Sequence, residues 1–120
     1  MGFDLDEVES QIQRFSDDRD WEQFHTLKNL TMAISSEVGE LAEITQWMID
    51  AEVTTLPATP ARRLRVEEEV ADIAIYLLRI CQLAGINLTV AIERKIALNE
   101  LNYPLESSKD SSAKYTELNK

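Results

Sequence analysis

The sequence predicts an all-α fold, a four-helix bundle, and three observations carry that prediction. Glycine and proline number only 3 each in 120 residues, too few for the turns of a β-sandwich or a doubly wound sheet. Apolar residues recur at spacings of three and four in four separate stretches, which is the period of a helix and not of a strand. Residues suited to starting and stopping helices stand between those stretches.

The first helix is expected from about Asp4 to Asp18, where Leu5, Val8, Ile12 and Phe15 form one stripe before Asp17, Asp18, Arg19 and Asp20 interrupt it. The second runs from about Leu27 to Asp50, with Leu30, Ile34, Val38, Leu41, Ile44 and Met48 on one face. The third begins at Thr59-Pro60, a good N-cap followed by the residue that suits the first helical position. Its stripe is Val66, Val70, Ile73, Leu77, Ile80 and Ala84, and Gly85 sits where a C-terminal cap belongs. Asn87 caps the fourth, which reaches Asn102 before Tyr103-Pro104. That fourth helix is apolar on most sides, through Leu88, Val90, Ile92, Ile96, Leu98 and Leu101. Such a helix is either the centre of the bundle or part of a contact between copies, a homo-oligomer. Residues 1–104 form the expected domain, and the polar, serine-rich 105–120 a flexible tail.

Composition narrows the function. The hydrophobic fraction of 44% and charged fraction of 28% are those of a globular chain and not of a disordered one. The formal net charge of −10 repels nucleic acid and anionic membrane, so neither is an expected partner. Cys81 stands alone, which precludes an intramolecular disulfide. No apolar run has membrane-spanning length, and Met1-Gly2-Phe3-Asp4 lacks the basic-then-apolar signal pattern. A cytoplasmic setting is expected.

Carboxylates fall where apolar residues belong. With Leu30 at zero on an ideal helix, Glu37 lies at about 340°, inside the apolar stripe, and Glu40 at about 280°, on its edge beside Trp47. With Val66 at zero on the third helix, Glu69 lies at about 300° and Asp72 at about 240°. Glu40 is ten residues from Asp50, and Glu69 is ten residues from Thr59. At 1.5 Å per residue both stand about 15 Å from the connection, so an antiparallel hairpin sets them level. Four clustered carboxylates need compensation. Arg62, Arg63 and Arg65 lie near the helix start, below the cluster. Either the pairs are acidic solvated faces, or a divalent cation, Mg²⁺ by its preference for carboxylate and phosphate oxygens, sits among them. A di-iron bundle needs Glu-x-x-His on two helices, and the single histidine, His25, lies outside both motifs.

The ordered set Asp20-Trp-Glu-Gln-Phe-His25, Ser36-Glu-Val-Gly-Glu-Leu-Ala-Glu43, Gln46-Trp47, Glu68-Glu-Val-Ala-Asp72 and Ile75-Tyr-Leu-Leu78 carries a family resemblance. Lys95, Asn99, Tyr103-Pro104 and the late Lys114-Tyr-Thr-Glu-Leu118 continue it. The chain resembles the MazG-like all-α nucleoside triphosphate pyrophosphohydrolases, within them the dCTP pyrophosphatase branch. Ser36 departs from the broad pattern, which has a glutamate there; the dCTP branch tolerates a small residue at that place. The resemblance implies Mg²⁺-dependent cleavage of a deoxynucleoside triphosphate between its α- and β-phosphates. It makes Glu37, Glu40, Glu69 and Asp72 the metal ligands and catalytic set. It implies substrate binding by Trp21 and Trp47 as stacking residues, Tyr76 against the deoxyribose, His25 near the nucleotide, and Tyr103. Lys95 and Asn99, which face inward on an ideal fourth helix, would meet the phosphates or the sugar. It also implies an active site built from more than one subunit, in a dimer or tetramer. The same chemistry with wider (d)NTP specificity, and a non-catalytic nucleotide-binding helical module, are the alternatives.

Overall fold

The computed structural model describes residues 4–48 and 60–105. Among them every regular element is helical: α1 (Leu5–Asp18), a 3₁₀ turn (Glu22–Phe24), α2 (Leu27–Thr45), α3 (Pro60–Ala84) and α4 (Leu88–Asn102). The expected tail, 105–120, lies outside the described residues except for Leu105, and so does the Thr59 cap. The chain divides into two compact units, Met1–Ile86 and Asn87–Lys120.

Side-chain caps set the helix starts. Asp4, Thr26 and Asn87 each accept from the backbone N–H three residues on, at 3.0–3.1 Å, which satisfies a donor the helix itself leaves unpaired. α3 begins at Pro60, whose missing N–H costs nothing at that position. It ends at Gly85, φ +67°, with the Ile86 N–H returning to the Cys81 carbonyl at 2.9 Å. That pairing is the Schellman arrangement, and it needs the left-handed residue that glycine supplies.

Within the first unit α2 packs extensively on α3, and α1 more lightly. His25 meets Arg79 while Glu37 and Glu40 approach Glu69. One number rises as the other falls, so the approach to α2 and α2 itself run antiparallel to α3. Gln13 meets Arg79 and the Glu9 carbonyl meets Gln82, which makes α1 antiparallel to α3 as well.

Among the described residues the buried apolar side chains are Ile12, Leu30, Leu78 and Cys81, joined by Ser16 and Arg79. This corrects the expected stripe on α3, where Val70 and Leu77 are exposed. α3 carries apolar side chains around most of its circumference, so periodicity alone cannot choose its inner face. The expected end of α2 is also corrected. It stops at Thr45, with Gln46 and Trp47 in a turn and the Met48 N–H on the Thr45 carbonyl at 3.0 Å. The Thr45 hydroxyl bonds the Leu41 carbonyl at 3.1 Å, a side-chain contact that weakens helix continuation.

In the second unit no residue of α4 is buried; Val90, Ile92, Ile96, Leu98 and Leu101 are all exposed. No single helix among the described residues is long and apolar enough to cross a membrane.

Candidate active site

The carboxylates predicted to converge do so in part. Glu37 and Glu40, one turn apart on α2, and Glu69 on α3 bring one oxygen each within 4.8 Å of one another. Glu37 and Glu69 are half-buried and Glu40 is exposed. Asp72 is not in that trio; it lies one turn further along α3, and its charge acts on Glu69. The Glu37 carboxyl beside Glu69, then burial, hold the Glu69 carboxyl above its usual range, with Glu37 and Asp72 as like charges adding to it and Glu40 opposing. One Glu69 oxygen, Oε2, is shut from solvent with no hydrogen-bond partner. A buried acceptor without a donor is costly, and a hard cation is the partner that three clustered carboxylates fit.

A cavity of about 420 Å³ adjoins this trio through Asp72. Its walls come from Val8, Gln11, Ile12, Phe15 and Ser16 on α1, from Trp21 and His25, and from Asp72, Ile75, Tyr76 and Arg79 on α3. Most of this lining is apolar or aromatic, with few polar groups, as small-molecule pockets are. Trp21, His25 and Tyr76, expected at the nucleotide, therefore share one space with Asp72.

The link between α1 and α2 holds that wall in place. Asp20 takes a left-handed φ of +52° and reverses the chain. The Trp21 N–H bonds the buried Ser16 carbonyl at 3.0 Å. Asn29 Nδ2 donates to the Phe24 carbonyl at 3.0 Å, tying the 3₁₀ turn to α2. Trp21 meets Phe15 and His25 edge-on, at centroid distances of 5.4 and 6.1 Å. Arg19 lies over the Phe15 ring at 3.6 Å, closing the outer side.

Trp47 is placed differently from the ideal-helix expectation. It sits in the turn after α2 and not in the helix, does not line the cavity, and is 85% exposed. It is no core residue of this chain. Lys95, Asn99 and Tyr103 belong to the second unit. Lys95 and Asn99 are exposed and one turn apart on α4, and Tyr103 is half-buried just past its end.

One residue of the cavity wall escaped the sequence reading. Arg79 is 1% exposed, the most deeply buried charged side chain described. Its Nε donates to His25 Nδ1 at 3.0 Å, and Nη1 to Gln13 Oε1 at 2.9 Å and Gln82 Oε1 at 3.0 Å. The signal was present: Leu77-Leu78-Arg79-Ile80-Cys81 sets one charge inside an unbroken apolar run. Burial, and then the Arg79 charge, push the His25 imidazole below its usual range.

Residues 32–118 match the MazG-like family. dCTP pyrophosphatase 1 of Homo sapiens is 39% identical over 114 residues, which are 95% of this chain and 67% of that protein. dCTP pyrophosphatase 1 of Mus musculus is 38% identical over the same shares. The crystal structure of a pyrophosphatase from Archaeoglobus fulgidus DSM 4304 superposes with a TM-score of 0.76 at 42% identity, over 87% of this chain and 95% of that one.

Proposed function

We propose that this chain, which belongs to the MazG-like family, hydrolyses dCTP between its α- and β-phosphates, giving dCMP and pyrophosphate, with Mg²⁺ as its metal. The chain is a nucleotide pyrophosphohydrolase, as its relatives are. The observation that carries the finer reading is the carboxylate trio of Glu37, Glu40 and Glu69 beside an aromatic-walled cavity, with Asp72 at the join.

The donor set fits the metal: three carboxylates within 4.8 Å and one buried, unpartnered oxygen on Glu69. In this reading Glu37, Glu40, Glu69 and Asp72 hold Mg²⁺. Once bound, the metal offsets phosphate charge and makes water a better nucleophile. One carboxylate of the set accepts the proton of the attacking water. Trp21 stacks on the base and Tyr76 crowds a 2′-hydroxyl. Lys95 and Asn99 bind phosphate or sugar oxygens, Tyr103 is a further substrate-binding residue, and Trp47 supplies a further stacking face. Residues 1–104 act as the functional domain, in the cytoplasm, as a dimer or tetramer. The oligomer is supported by the α4 side chains Val90, Leu98 and Leu101, which are 46%, 46% and 78% exposed.

Incubation with dCTP, with and without Mg²⁺, tests this reading. The expected result is one pyrophosphate for each dCMP, only with Mg²⁺. Release of orthophosphate, or tight binding without hydrolysis, would reject it. A parallel series of dUTP, dTTP, dATP and 5-methyl-dCTP then separates dCTP preference from wider specificity.

A further inference from the structure

A guanidinium has five N–H donors and no acceptor, and it stays protonated in proteins. Arg79 is buried, makes no ion pair among the described residues, and is held by three neutral acceptors, on His25, Gln13 and Gln82. Gln82 is itself fixed, because its Nε2 donates to the Glu9 carbonyl at 2.6 Å and so its oxygen must turn to Arg79. The contact to His25 is equally one-way. Arg79 Nε can only donate, so the ring nitrogen 3.0 Å away must be bare. The single imidazole proton then sits on Nε2.

We propose that Arg79 is a positioning residue for base selection: it locks His25 as the neutral Nε2–H tautomer, so that this side of the cavity offers a hydrogen-bond donor to the bound base. The inference rests on the nucleotide reading above. Arg79 Nη2 is shut from solvent and without a partner, so the donor this wall has to offer is the His25 Nε2–H. A donor there suits a pyrimidine whose N3 accepts, as in cytosine. It opposes one whose N3 carries a proton, as in uracil or thymine, because two donors then face each other. The lowered His25 pKa agrees, since an imidazolium would turn an N–H toward Arg79.

His25 is the only histidine in the chain, so long-range ¹H–¹⁵N NMR of the intact protein reads its tautomer without assignment. The expected spectrum at pH 7.5 shows a bare Nδ1 and a protonated Nε2. The Nε2–H signal should shift with the α,β-imido analogue of dCTP and much less with that of dUTP. In Arg79→Met the two tautomers should mix, and the kcat/KM preference for dCTP over dUTP should fall about ten- to a hundredfold, mainly through KM. A proton on Nδ1 in the wild-type protein overturns the proposal, whatever the variant does. So does an unchanged preference in a folded Arg79→Met. Failure of the parent reading appears separately, as no Mg²⁺-dependent pyrophosphate release from any nucleotide by the wild-type chain.

Discussion

Two polar clusters lie about 15 Å apart along α3, and they are assembled on opposite rules. At Glu69 three carboxylates crowd within 4.8 Å, and one buried oxygen has no donor. At Arg79 one buried cation meets neutral oxygens and nitrogens at 2.9–3.0 Å and touches no carboxylate among the described residues. The first cluster is like-charged and carries no cationic side chain among the described residues that the carboxylates touch. The second spreads one charge over dipoles that α1, α2's approach and α3 supply. The difference separates chemistries: the carboxylate end is arranged as a cation would need it, while the arginine end is mostly satisfied by the fold.

The sharpest way to break this comparison is Glu69→Gln. The amide keeps the shape, removes a ligand charge and relieves repulsion. Turnover should fall about a thousandfold or more, since a metal supplies several kcal/mol of transition-state stabilisation. Thermal stability without metal should hold or rise. Near-normal Mg²⁺-dependent activity would mean that Glu69 is no ligand.

If Trp21, in the cavity wall, and Trp47, outside it, are the stacking residues of the proposed reading, Trp21→Ala and Trp47→Ala should each remove about 1–3 kcal/mol, or roughly 5- to 150-fold in affinity. KM should rise more than kcat falls. The exposed Trp47 should do this with the unfolding midpoint almost unchanged. If Trp47→Ala unfolds the protein, its exposed surface is covered by something on which folding depends.

Arg79→Met tests the structural half. It leaves acceptors on His25, Gln13 and Gln82 without a donor, and urea denaturation should show a loss of about 2–4 kcal/mol. An unshifted midpoint would show that the arginine cluster contributes nothing to the fold.

The smallest effect is a pair of opposite pH limbs. Folding lowers the His25 pKa from 6.5, so below about pH 6.5 the unfolded chain binds a proton that the folded one refuses. Stability is lost there as pH falls. Folding raises the Glu69 pKa from 4.5, so without metal stability is lost as pH rises above about 4.5. Melting curves across pH should lose the first limb in His25→Gln. The second should vanish in Glu69→Gln or on adding Mg²⁺. Persistence of either limb in its own variant assigns it to another group.

Sequence made the helices legible because their caps are local. Asp4, Thr26, Asn87 and Gly85 each act within five residues of themselves. The approach of Glu37 and Glu40 to Glu69 was also legible, since an antiparallel α2–α3 pair sets carboxylates of the two helices side by side, although the helix end used to level them falls at Thr45 and not at Asp50. The place of Trp47 was less legible, because α2 ends at Thr45 and Trp47 stands in the turn that follows, outside the helical period. The inner face of α3 was hidden because apolar side chains surround it, and Arg79 was overlooked because its partners come from three different segments. Long-range partners of that kind leave no spacing in the chain.

The thinness of the apolar core has a consequence at the level of the cell's inventory. Only Ile12, Leu30, Leu78 and Cys81 are buried apolar side chains among the described residues, while α4 buries none. A chain so built leaves much apolar surface whose burial by a partner would add stability. If that partner is another copy, mass action ties the folded fraction to the amount of protein present. Dilution would then lower activity faster than in proportion, and scarce chains would unfold and be cleared. The thin core would thus set a threshold abundance below which the cell has, in effect, none of the enzyme.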